Sequence, residues 1–567
     1  MRLVAGAAGR TGSREGTESV RREANNLGGD ANLKSATVRL SMIEQLRTRR
    51  EMAMNQSVRE RSTGYGASTG RQWPVVAAAM ILLALVVSPL QAAETRKPIS
   101  DGAITSAVES ELLSDEDVSP NPIDVAASHG VVTLSGSAGD LLARRRAVRI
   151  AESTRGVLGV VDDIAVAPVS RPDEAIREDV VTALHRDPAT ESYPVTVAVK
   201  DGVVTLTGSV GSWAEGQLAA RIAEEVRGVK DVDNGLAINY AAKRTDAEIA
   251  ADITDALDWD VLLNGYFIKP VVQNGRVMLG GAVGSVMERS RAIEDTWVNG
   301  VVAVDATNLK VEPWAREEVR RRRKRVVKSD PEIRRAVQAS LRRDPRVSPF
   351  SLNVAVEDGV VILDGAVTSL KAKTVAEQDA RGTVGVLWVD DLLRVRPSSP
   401  PSDTEAERDL KAAVRWNPLF DGCQIDIAVI NHAAYLGGWV DSAFQRAEAQ
   451  DIASRTKGVL EVRDHLKIWS RSGYALRFRH WRAYAWEKTW PPSLQTDAQI
   501  KRNIERAFFW SPFVDRDDIA VTVHDGVVTL TGLVDGWLAY GEADRDARAS
   551  GAIDVRNRLA VKPGAWF

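Results

Sequence analysis

Cysteine is almost missing from this sequence: Cys423 is the single example in 567 residues. One thiol cannot form an internal disulfide, and it excludes a zinc site built from several cysteines. Histidine is also scarce, and its six copies show no His-x-x-x-His pair or other ligand spacing, so no metal site is expected. The histidines are His129, His185, His432, His465, His480 and His524.

Enzyme motifs are lacking as well. There is no Gly-x-Ser-x-Gly elbow, and Gly280-Gly281-Ala-Val-Gly284 lacks the Gly-Lys ending of a phosphate-binding loop. Cys423 has no partner base nearby in sequence. The sequence therefore predicts a protein that is not an enzyme, with no catalytic residue, cofactor or metal.

The charge is balanced overall but uneven along the chain. The formal net charge is −3, whereas residues 1–71 hold thirteen Lys/Arg and seven Asp/Glu, so the rest of the chain is acidic. An acidic body is a poor general binder of nucleic acid, and no nucleic-acid partner is expected.

A long apolar run occurs only near the start, where basic residues precede Trp73–Leu90 and small residues follow it. This order is typical of a secretory signal. The uninterrupted apolar core covers 75–87, shorter than the roughly 20 residues of a membrane span, and Pro89 ends it. Residues 73–93 are thus predicted to be a signal peptide, with a membrane anchor as the alternative. Residues 1–72 are expected to be disordered or to reflect a start codon placed too far upstream.

The chain contains six copies of one unit. The clearest copies are Val195-Thr-Val-Ala-Val-Lys-Asp-Gly-Val-Val-Thr-Leu-Thr-Gly208 and Ile519-Ala-Val-Thr-Val-His-Asp-Gly-Val-Val-Thr-Leu-Thr-Gly532. The intervals between successive end glycines are 72, 73, 84, 73 and 94 residues, so two of them contain inserted linkers. Such a fixed period sets the number of domains at six. The end glycines are Gly136, Gly208, Gly281, Gly365, Gly438 and Gly532.

Each copy predicts the order α-β-β-α-β. Alternating valines on either side of Asp201-Gly202 indicate a hairpin, and Glu174–Leu184 has the spacing of a helix that stops at Asp187-Pro188. Repeat 5 has Asn431-His432 at the turn, which predicts a looser turn or one of another type. A second helix is predicted to close at a glycine such as Gly228, before a last strand. The predicted fold class is α+β, a tandem array of small domains with two helices packed on a three-stranded sheet.

These motifs resemble the BON domain, named for bacterial osmotic-shock and nodulation proteins. The resemblance rests on the helix, the Asp-Pro stop, Val-x-Val-x-Asp-Gly-Val-Val-x-Leu-x-Gly, the second helix and Gly-Val-x-x-Val-x-Asn-x-Leu. It implies a secreted or periplasmic envelope protein linked to osmotic stress, with phospholipid binding as its activity and no catalytic residues. The predicted repeats are 100–166, 172–239, 245–312, 331–396, 404–469 and 496–562.

Two linkers interrupt the array and are candidate lipid-binding segments. The basic linker, 313–330, contains six consecutive cations that suit anionic headgroups, or that simply face water on an exposed helix. The Trp/Arg-rich linker, 470–495, together with Trp469, suits a membrane interface or a packed contact between domains. The candidate residues are Arg320, Arg321, Arg322, Arg323, Lys324, Arg325, Trp469, Arg471, Arg477, Arg479, Trp481, Arg482, Trp486 and Trp490.

Two recurring positions complete the pattern. Trp259, Trp416 and Trp510 come just before the stop of the first helix, where repeats 2 and 4 have arginine, which indicates either a surface shared between repeats or core packing. The acidic pairs Asp162-Asp163 and Asp390-Asp391 are expected to be solvated strand-edge charges.

The predicted function is non-catalytic binding of anionic phospholipid or the membrane surface, in support of the envelope under osmotic stress. The alternative is a periplasmic scaffold that binds envelope proteins or glycan through exposed strand edges. The location is the periplasm or cell envelope, with anchoring to the inner membrane if the signal is not cleaved. Whether the repeats stack rigidly or behave as separate beads is left open.

Overall fold

The structure is a computed structural model that describes residues 99–562 apart from 116, 119, 120, 264, 317–327, 398 and 469–495. Within this part, six repeats each place two helices on one face of a small sheet, which confirms the predicted α+β class. The repeats belong to one compact unit, residues 97–567, so they are packed together and are not separate beads.

The first helix of each repeat begins at an aspartate, and a serine or threonine occupies the cap position before it in every repeat except repeat 2, which has Pro172. In repeat 3 the side chain of Thr245 accepts a hydrogen bond from Glu248 N, and the Glu248 carboxylate accepts from Thr245 N. This capping box satisfies backbone donors that the first turn leaves without partners. The first helices are Asp101–Ser114, Asp173–Arg186, Asp246–Trp259, Asp330–Arg343, Asp403–Trp416 and Asp497–Trp510.

The hairpin forms the first two strands of each sheet. The hairpins of repeats 1 to 3 are Ile123–Ser128 with Val131–Ala138, Val195–Lys200 with Val203–Val210, and Ile268–Gln273 with Arg276–Val283. Those of repeats 4 to 6 are Asn353–Glu357 with Val360–Asp364, Gln424–Ile430 with Ala433–Val440, and Ile519–His524 with Val527–Val534.

The second helix follows the hairpin and crosses the sheet. The second helices are Leu141–Glu152, Trp213–Glu224, Val286–Thr296, Leu370–Arg381, Ala443–Arg455 and Trp537–Ala549. The prediction that these helices close at a glycine holds in repeat 6, where Gly551 with φ +94° directly follows the cap residue Ser550. In repeat 2 it was wrong by several residues, because Glu224 ends the helix and Gly228 lies beyond it in a separate left-handed turn with φ +92°.

The last strand pairs parallel to the second strand of the hairpin, so the second strand is central in each repeat. The third strands of repeats 1, 2, 3 and 6 are Gly159–Val166, Asp231–Ile238, Ala303–Val311 and Asp554–Val561. In repeats 4 and 5 this strand is split into Trp388–Asp391 with Arg394–Val395, and Glu461–Asp464 with Lys467–Ile468. Short strand Ala366–Val367 continues the sheet of repeat 4 beside Arg394–Val395.

Short 3-10 turns fill the connections. They are Gly265–Phe267, Pro313–Arg316, Pro418–Phe420 and Arg516–Asp518.

Each repeat has its own apolar core, and neighbouring repeats extend it. A domain of this length buries a modest fraction of its chain and gains from shared packing. The core of repeat 2 includes Leu141 from repeat 1 and contacts Trp416 from repeat 5. Val286 of repeat 3 likewise packs in the core of repeat 1. The folding units are therefore not energetically independent.

Glycine closes the repeated pattern because two backbones meet there. In repeat 2, Gly208 has φ +128°, and a Cβ at this position would stand 2.1 Å from the carbonyl oxygen of Pro194. Any larger residue would push the hairpin strands apart. The glycine is thus required inside the strand Val203–Val210, at a point of close approach between two backbones.

Candidate functional site

Six aspartates hold the hairpin turns to the first helices. In repeat 2, Asp173 Oδ2 accepts from Asp201 N at 2.8 Å and Asp173 Oδ1 accepts from Gly202 N at 3.0 Å. The same two bonds occur in all six repeats, with the carboxylate 28 and 29 residues ahead of its donors. Sequence reasoning missed this contact, although the aspartate lies at one fixed distance before every turn. The six are Asp101, Asp173, Asp246, Asp330, Asp403 and Asp497.

The turn of repeat 5 is held in the same way, so the prediction of a looser or different turn was wrong. Asn431 has φ +51°, as the first turn residue has in the other repeats, and His432 has φ +62° at the position that glycine occupies in them. His432 N donates to Asp403 Oδ1 at 3.0 Å, and its Nδ1 lies 3.1 Å from Gly458 O. These contacts stabilise a backbone conformation that is costly for histidine. Because the turn amides donate to it, the pKa of Asp403 is lowered.

The acidic pairs are not solvated edge charges throughout, which corrects the sequence interpretation. Arg144 Nε of the second helix donates to Asp162 Oδ2 at 2.8 Å, and Asp162 Oδ1 accepts from Ile164 N. Lys373 Nζ lies 3.6 Å from Asp391 Oδ2. One member of each pair therefore ties the third strand to the second helix.

The recurring tryptophans join repeats in pairs. Trp259 O accepts from Val384 N at 2.8 Å and so joins repeat 3 to repeat 4. Trp416 O accepts from Arg227 N at 2.7 Å, which joins repeat 5 to repeat 2. Trp510 O accepts from Arg155 N at 2.9 Å and joins repeat 6 to repeat 1. Of the two interpretations left open from the sequence, the shared surface is the one observed.

In two of these three contacts the indole ring also packs against the core of the other repeat. Trp416 packs against the core of repeat 2 with the Arg186 guanidinium 5.8 Å from its ring centroid. Trp259 packs against the core of repeat 4, and Lys328 Nζ lies 4.5 Å from its centroid. Arg186 occupies the position in repeat 2 that Trp416 occupies in repeat 5. The two side chains therefore lie on opposite sides of the contact between these repeats.

Contacts between second helices, and between residues next to them, hold the repeats together in two groups of three. In the group of repeats 1, 2 and 3, Arg145 pairs with Glu224, Trp213 stacks on Trp297 at 5.3 Å, and Ser290 Oγ donates to Glu152 at 3.2 Å. Repeats 4, 5 and 6 form the second group. There Lys371 pairs with Asp451, the Arg381 guanidinium lies 4.5 Å from the ring centroid of Trp537, and the second helices of repeats 5 and 6 are in contact.

A second set of contacts connects the two groups. Ser442 Oγ of repeat 5 donates to Asp117 of repeat 1 at 2.9 Å, and Phe513 and Leu538 of repeat 6 pack against the core of repeat 3. The corresponding region between repeats 2 and 4 holds a cavity of about 1030 Å³. Its walls continue onto the second helix of repeat 5 and reach Arg149 of repeat 1.

Many charged side chains line this cavity, beside apolar ones. Arg455 pairs with Glu225 across repeats 5 and 2 and lies 3.9 Å from Glu448. Burial, followed by the neighbouring Glu225, raises the pKa of Glu448 to about 7. Burial also raises the pKa of Asp187, which the Arg455 cation partly offsets. Glu448 on this wall thus changes its charge near neutral pH.

Aliphatic side chains are exposed at the ends of several hairpins. The residue two positions beyond the left-handed glycine after the second helix donates its backbone N–H to the turn carbonyl, as Leu158 does to Gly130 O at 2.8 Å. At this position Leu158 is 37% exposed, Val302 59% and Ile553 39%. Repeat 2 has Lys230 there. We call Leu158, Val302 and Ile553 the hairpin-end residues.

The residues predicted to bind lipid lie outside the described part of the chain. This applies to the six cations of the basic linker and to Trp469 with the Trp/Arg-rich linker, and also to the predicted signal segment. In the part of the chain that the structure describes, no helix is long and apolar enough to cross a membrane. That same part contains no group of three or more His, Cys, Asp or Glu side chains placed to hold a metal ion.

Known proteins resemble this chain as follows. The family model described as BON domain matches 100–168, 172–240, 245–313, 329–397, 402–468 and 496–563. The osmotically-inducible protein Y of Escherichia coli strain K12 is 33% identical over 145 residues, which are 24% of this chain and 72% of that protein. Two solved chains of CdsD, a structural protein of the type III secretion system of Chlamydia trachomatis, are each 14% identical with a TM-score of 0.11. The alignments cover 36% and 38% of this chain and 90% and 100% of those chains.

Proposed function

Since the chain belongs to the BON-domain family, we propose that it is a non-catalytic protein of the cell envelope that binds anionic phospholipid at the membrane surface. Its role is to support the envelope under osmotic stress, in line with the name of its osmotically inducible relative. The apolar segment 73–93 directs it to the periplasm or anchors it at the inner membrane.

The observation that carries this proposal is the exposure of the hairpin-end residues. The ends of the first helices are buried in contacts between repeats. The side chains of Leu158, Val302 and Ile553, in contrast, are exposed to water. An aliphatic side chain that enters a bilayer gains about 0.8 kcal/mol per buried CH₂. Because the three residues belong to one compact unit, their binding free energies add when they contact the same membrane surface.

The basic linker adds charge to this apolar contact. Arg320 to Arg325 follow directly on repeat 3, the repeat that carries Val302. Each cation near an anionic surface contributes about 1 kcal/mol, which salt screens. Apolar and basic contacts together are the combination that gives stable surface binding.

Flotation of the full chain with vesicles tests the proposal. Binding is expected on phosphatidylglycerol vesicles at low salt, and weaker binding on phosphatidylcholine vesicles or at high salt. Replacing the hairpin-end residues by serine should lower the floated fraction about threefold or more. Neutralising Arg320 to Arg325 should remove most of the salt dependence.

A matched control is Leu113→Ser, because Leu113 is 74% exposed but lies at the end of a helix and not at a hairpin. This variant should float like the wild type. Flotation that the hairpin-end variant and Leu113→Ser change equally would contradict the role of the hairpin ends. An absence of flotation on every vesicle would sink the proposal as a whole.

A protein-binding scaffold is the second candidate, and the sheet edges favour it. In the described residues, the first and third strands of each repeat form the edges of their sheet, and no sheet pairs with that of another repeat. Open edges can accept a strand from a partner. Envelope proteins retained on the immobilised chain, with no flotation, would favour this function.

A further inference from the structure

The second helices differ at one equivalent position. Counted from the residue that caps each second helix, the tenth residue is isoleucine in repeats 1, 2 and 5 and aspartate in repeats 3, 4 and 6. In the paired repeats 2 and 5 both residues are buried isoleucines, whereas in the paired repeats 3 and 4 both are aspartates. The six residues are Ile150, Ile222, Asp295, Asp379, Ile452 and Asp546.

Asp295 and Asp379 each have one buried oxygen without a partner. The Asp295 side chain is 10% exposed, and its Oδ1 lies 3.5 Å from Arg291 Nε. Its Oδ2 is buried and has no hydrogen-bond partner among the residues that the structure describes, and the same holds for Asp379 Oδ2. An ionised carboxylate is costly to bury in this way, and a proton removes its charge.

Carboxyl groups outnumber cations at the contact between repeats 3 and 4. The charges that act on Asp295 and Asp379 come from the second helices of both repeats and from the ends of both first helices, with the residues that follow them. Five carboxyl groups therefore share three guanidinium groups. The carboxyl groups are Asp260, Glu294, Asp295, Asp344 and Asp379, and the cations are Arg291, Arg343 and Arg346.

The three cations already have other partners. Arg291 Nε lies 2.8 Å from Asp260 Oδ2, and Arg291 Nη1 lies 3.6 Å from Glu294 Oε2. Arg346 binds Asp344 through two nitrogens, at 2.9 and 2.5 Å. Arg343 Nε donates to a carbonyl of its own helix at 3.3 Å. Two further ionised carboxylates would thus add negative charge to the contact that these cations do not fully balance.

Burial accordingly raises the pKa of both carboxyl groups. Burial foremost, opposed by Arg291 and assisted by Asp260, raises the pKa of Asp295 to about 7. Burial, and then Asp344, raises the pKa of Asp379 well above its ordinary value. The folded protein therefore holds these protons more tightly than the unfolded chain. Their contribution to stability is complete in acid and is lost as pH rises through about 7.

The backbone bonds that join the two repeats lie next to these carboxyl groups. Val261 N donates to Gly382 O at 3.1 Å, and Val384 N donates to Trp259 O at 2.8 Å. Between these bonds Asp260 and Thr383 form an antiparallel bridge. Thr383 is also one helical turn beyond Asp379, to whose carbonyl its Oγ1 donates at 3.1 Å. Repulsion among the carboxylates would therefore act on the bonds that close the contact.

We propose that the contact between repeats 3 and 4 is a pH-sensitive device, which is closed while Asp295 and Asp379 carry protons and opens when both ionise in mildly alkaline solution. Opening separates the end of the first helix of repeat 3 from the end of the second helix of repeat 4. It exposes Trp259, whose ring packs against the core of repeat 4 in the closed contact. The device goes beyond membrane binding and does not require it.

Amide hydrogen exchange of the full chain tests the device between about pH 6 and about pH 8.5, with each rate corrected for the intrinsic pH dependence of exchange. Protection of Val261 and Val384 should fall about tenfold or more over this range, because their bonds cross the contact. Val302 N donates to Gly275 O within repeat 3 and should keep its protection.

Two double variants remove the titrating groups. Asp295→Ile/Asp379→Ile introduces the side chain that repeats 1, 2 and 5 have at this position, and Asp295→Asn/Asp379→Asn keeps the shape of the carboxyl groups. Both should keep Val261 and Val384 protected across the whole pH range. The matched control Asp255→Asn/Asp364→Asn removes exposed carboxylates from the same two repeats and should follow the wild-type profile.

Three results would overturn the inference. The first is protection of Val261 and Val384 that does not change with pH in the wild type. The second is a loss of protection with rising pH that both double variants retain. The third is an equal loss at Val302, which would show unfolding of repeat 3 and not the opening of a contact. Protection of Val302 at about pH 6 also shows whether each variant is folded.

Discussion

At the scale of single residues, the most repeated contact is the aspartate that binds the hairpin turn. The motif search found the turn pair because Asp-Gly and Asn-Gly have a known preference for positive φ. It did not find the aspartate that serves it, since 28 residues separate them and only the folded repeat brings them together. The error about Asn431-His432 has the same origin. Turn type was judged from the turn residues alone, whereas Asp403 supplies part of its stability.

The substitution Asp173→Asn tests this contact. An amide retains one acceptor oxygen and loses the charge, so the Asp201–Gly202 turn should lose about 1 kcal/mol of local stability. Amide hydrogen exchange at Asp201 and Gly202 should become faster, while exchange at the equivalent turn of repeat 6 stays unchanged. Asp233→Asn, which alters an exposed carboxylate of the same repeat, serves as the control. Equal protection of Gly202 in both variants would show that the carboxylate is dispensable.

At the scale of elements, the sequence predicted the order of helices and strands because hydrophobic periodicity and turn chemistry are local. It could not decide where Trp259, Trp416 and Trp510 go, since a half-buried tryptophan suits both a core and an interface. In the structure all three lie at contacts between repeats: each carbonyl joins another repeat, and the rings of Trp259 and Trp416 also pack against the core of that repeat. The predicted lipid-binding residues lie outside the described chain and stay a prediction.

The substitution Trp416→Ala should loosen the contact between repeats 2 and 5. Removing a half-buried indole costs about 2 kcal/mol, less than a fully buried one. The amide of Arg227 donates to Trp416 O, so its hydrogen exchange should accelerate, while that of Val384, held by Trp259, should not.

Trp510→Ala is the matched control for this contact. Trp510 occupies the same position and also accepts from a backbone amide, but its ring is not part of the packing around the core of repeat 1. Its loss should therefore have the smaller effect on the amide that it binds, Arg155. The reverse order of effects would contradict the importance of the ring.

At the scale of the whole molecule, the repeats form two groups of three that face each other through three tryptophan contacts. No local pattern in the sequence encodes this arrangement, which depends on helix faces that look like ordinary solvated surfaces when read alone. Arg145 and Glu224, for example, appear as unremarkable helical charges until repeats 1 and 2 meet. Contacts between distant repeats also place carboxylates where water is scarce, as for Asp117.

The burial of Asp117 at the contact between repeats 1 and 5 should make the six-repeat unit more stable in mild acid. Burial, and then Asp115, raises the pKa of Asp117 to about 6, so the folded protein binds this proton more strongly than the unfolded chain does. The contribution of Asp117 to stability should therefore fall as pH rises from about 4 to about 6. Asp117→Asn should be more stable than the wild type at pH 7.5, by about 2 kcal/mol, and should lose this advantage near pH 4.

Thermal unfolding between pH 4 and 7.5 measures this difference. The asparagine can still accept from Ser442 Oγ, so the interface is kept. Asp124→Asn, at an exposed site on the first strand of repeat 1, should follow the wild-type curve at every pH. Parallel curves for Asp117→Asn and the wild type would contradict the proposed titration.

The pairing of repeat 1 with repeat 6 determines the order in which the contacts between repeats can form during synthesis. Repeats 3 and 4 are neighbours in the chain and can meet first, followed by repeats 2 and 5, and the outermost pair closes last. Arg155 and Phe509 are 354 residues apart. At a synthesis rate of about 5–20 residues per second, repeat 1 waits roughly 20 to 70 s for its partner. During that interval the nascent chain exposes the surface that Trp510 later covers, so the ribosome and any export machinery handle a protein whose first domain still lacks its contact with repeat 6.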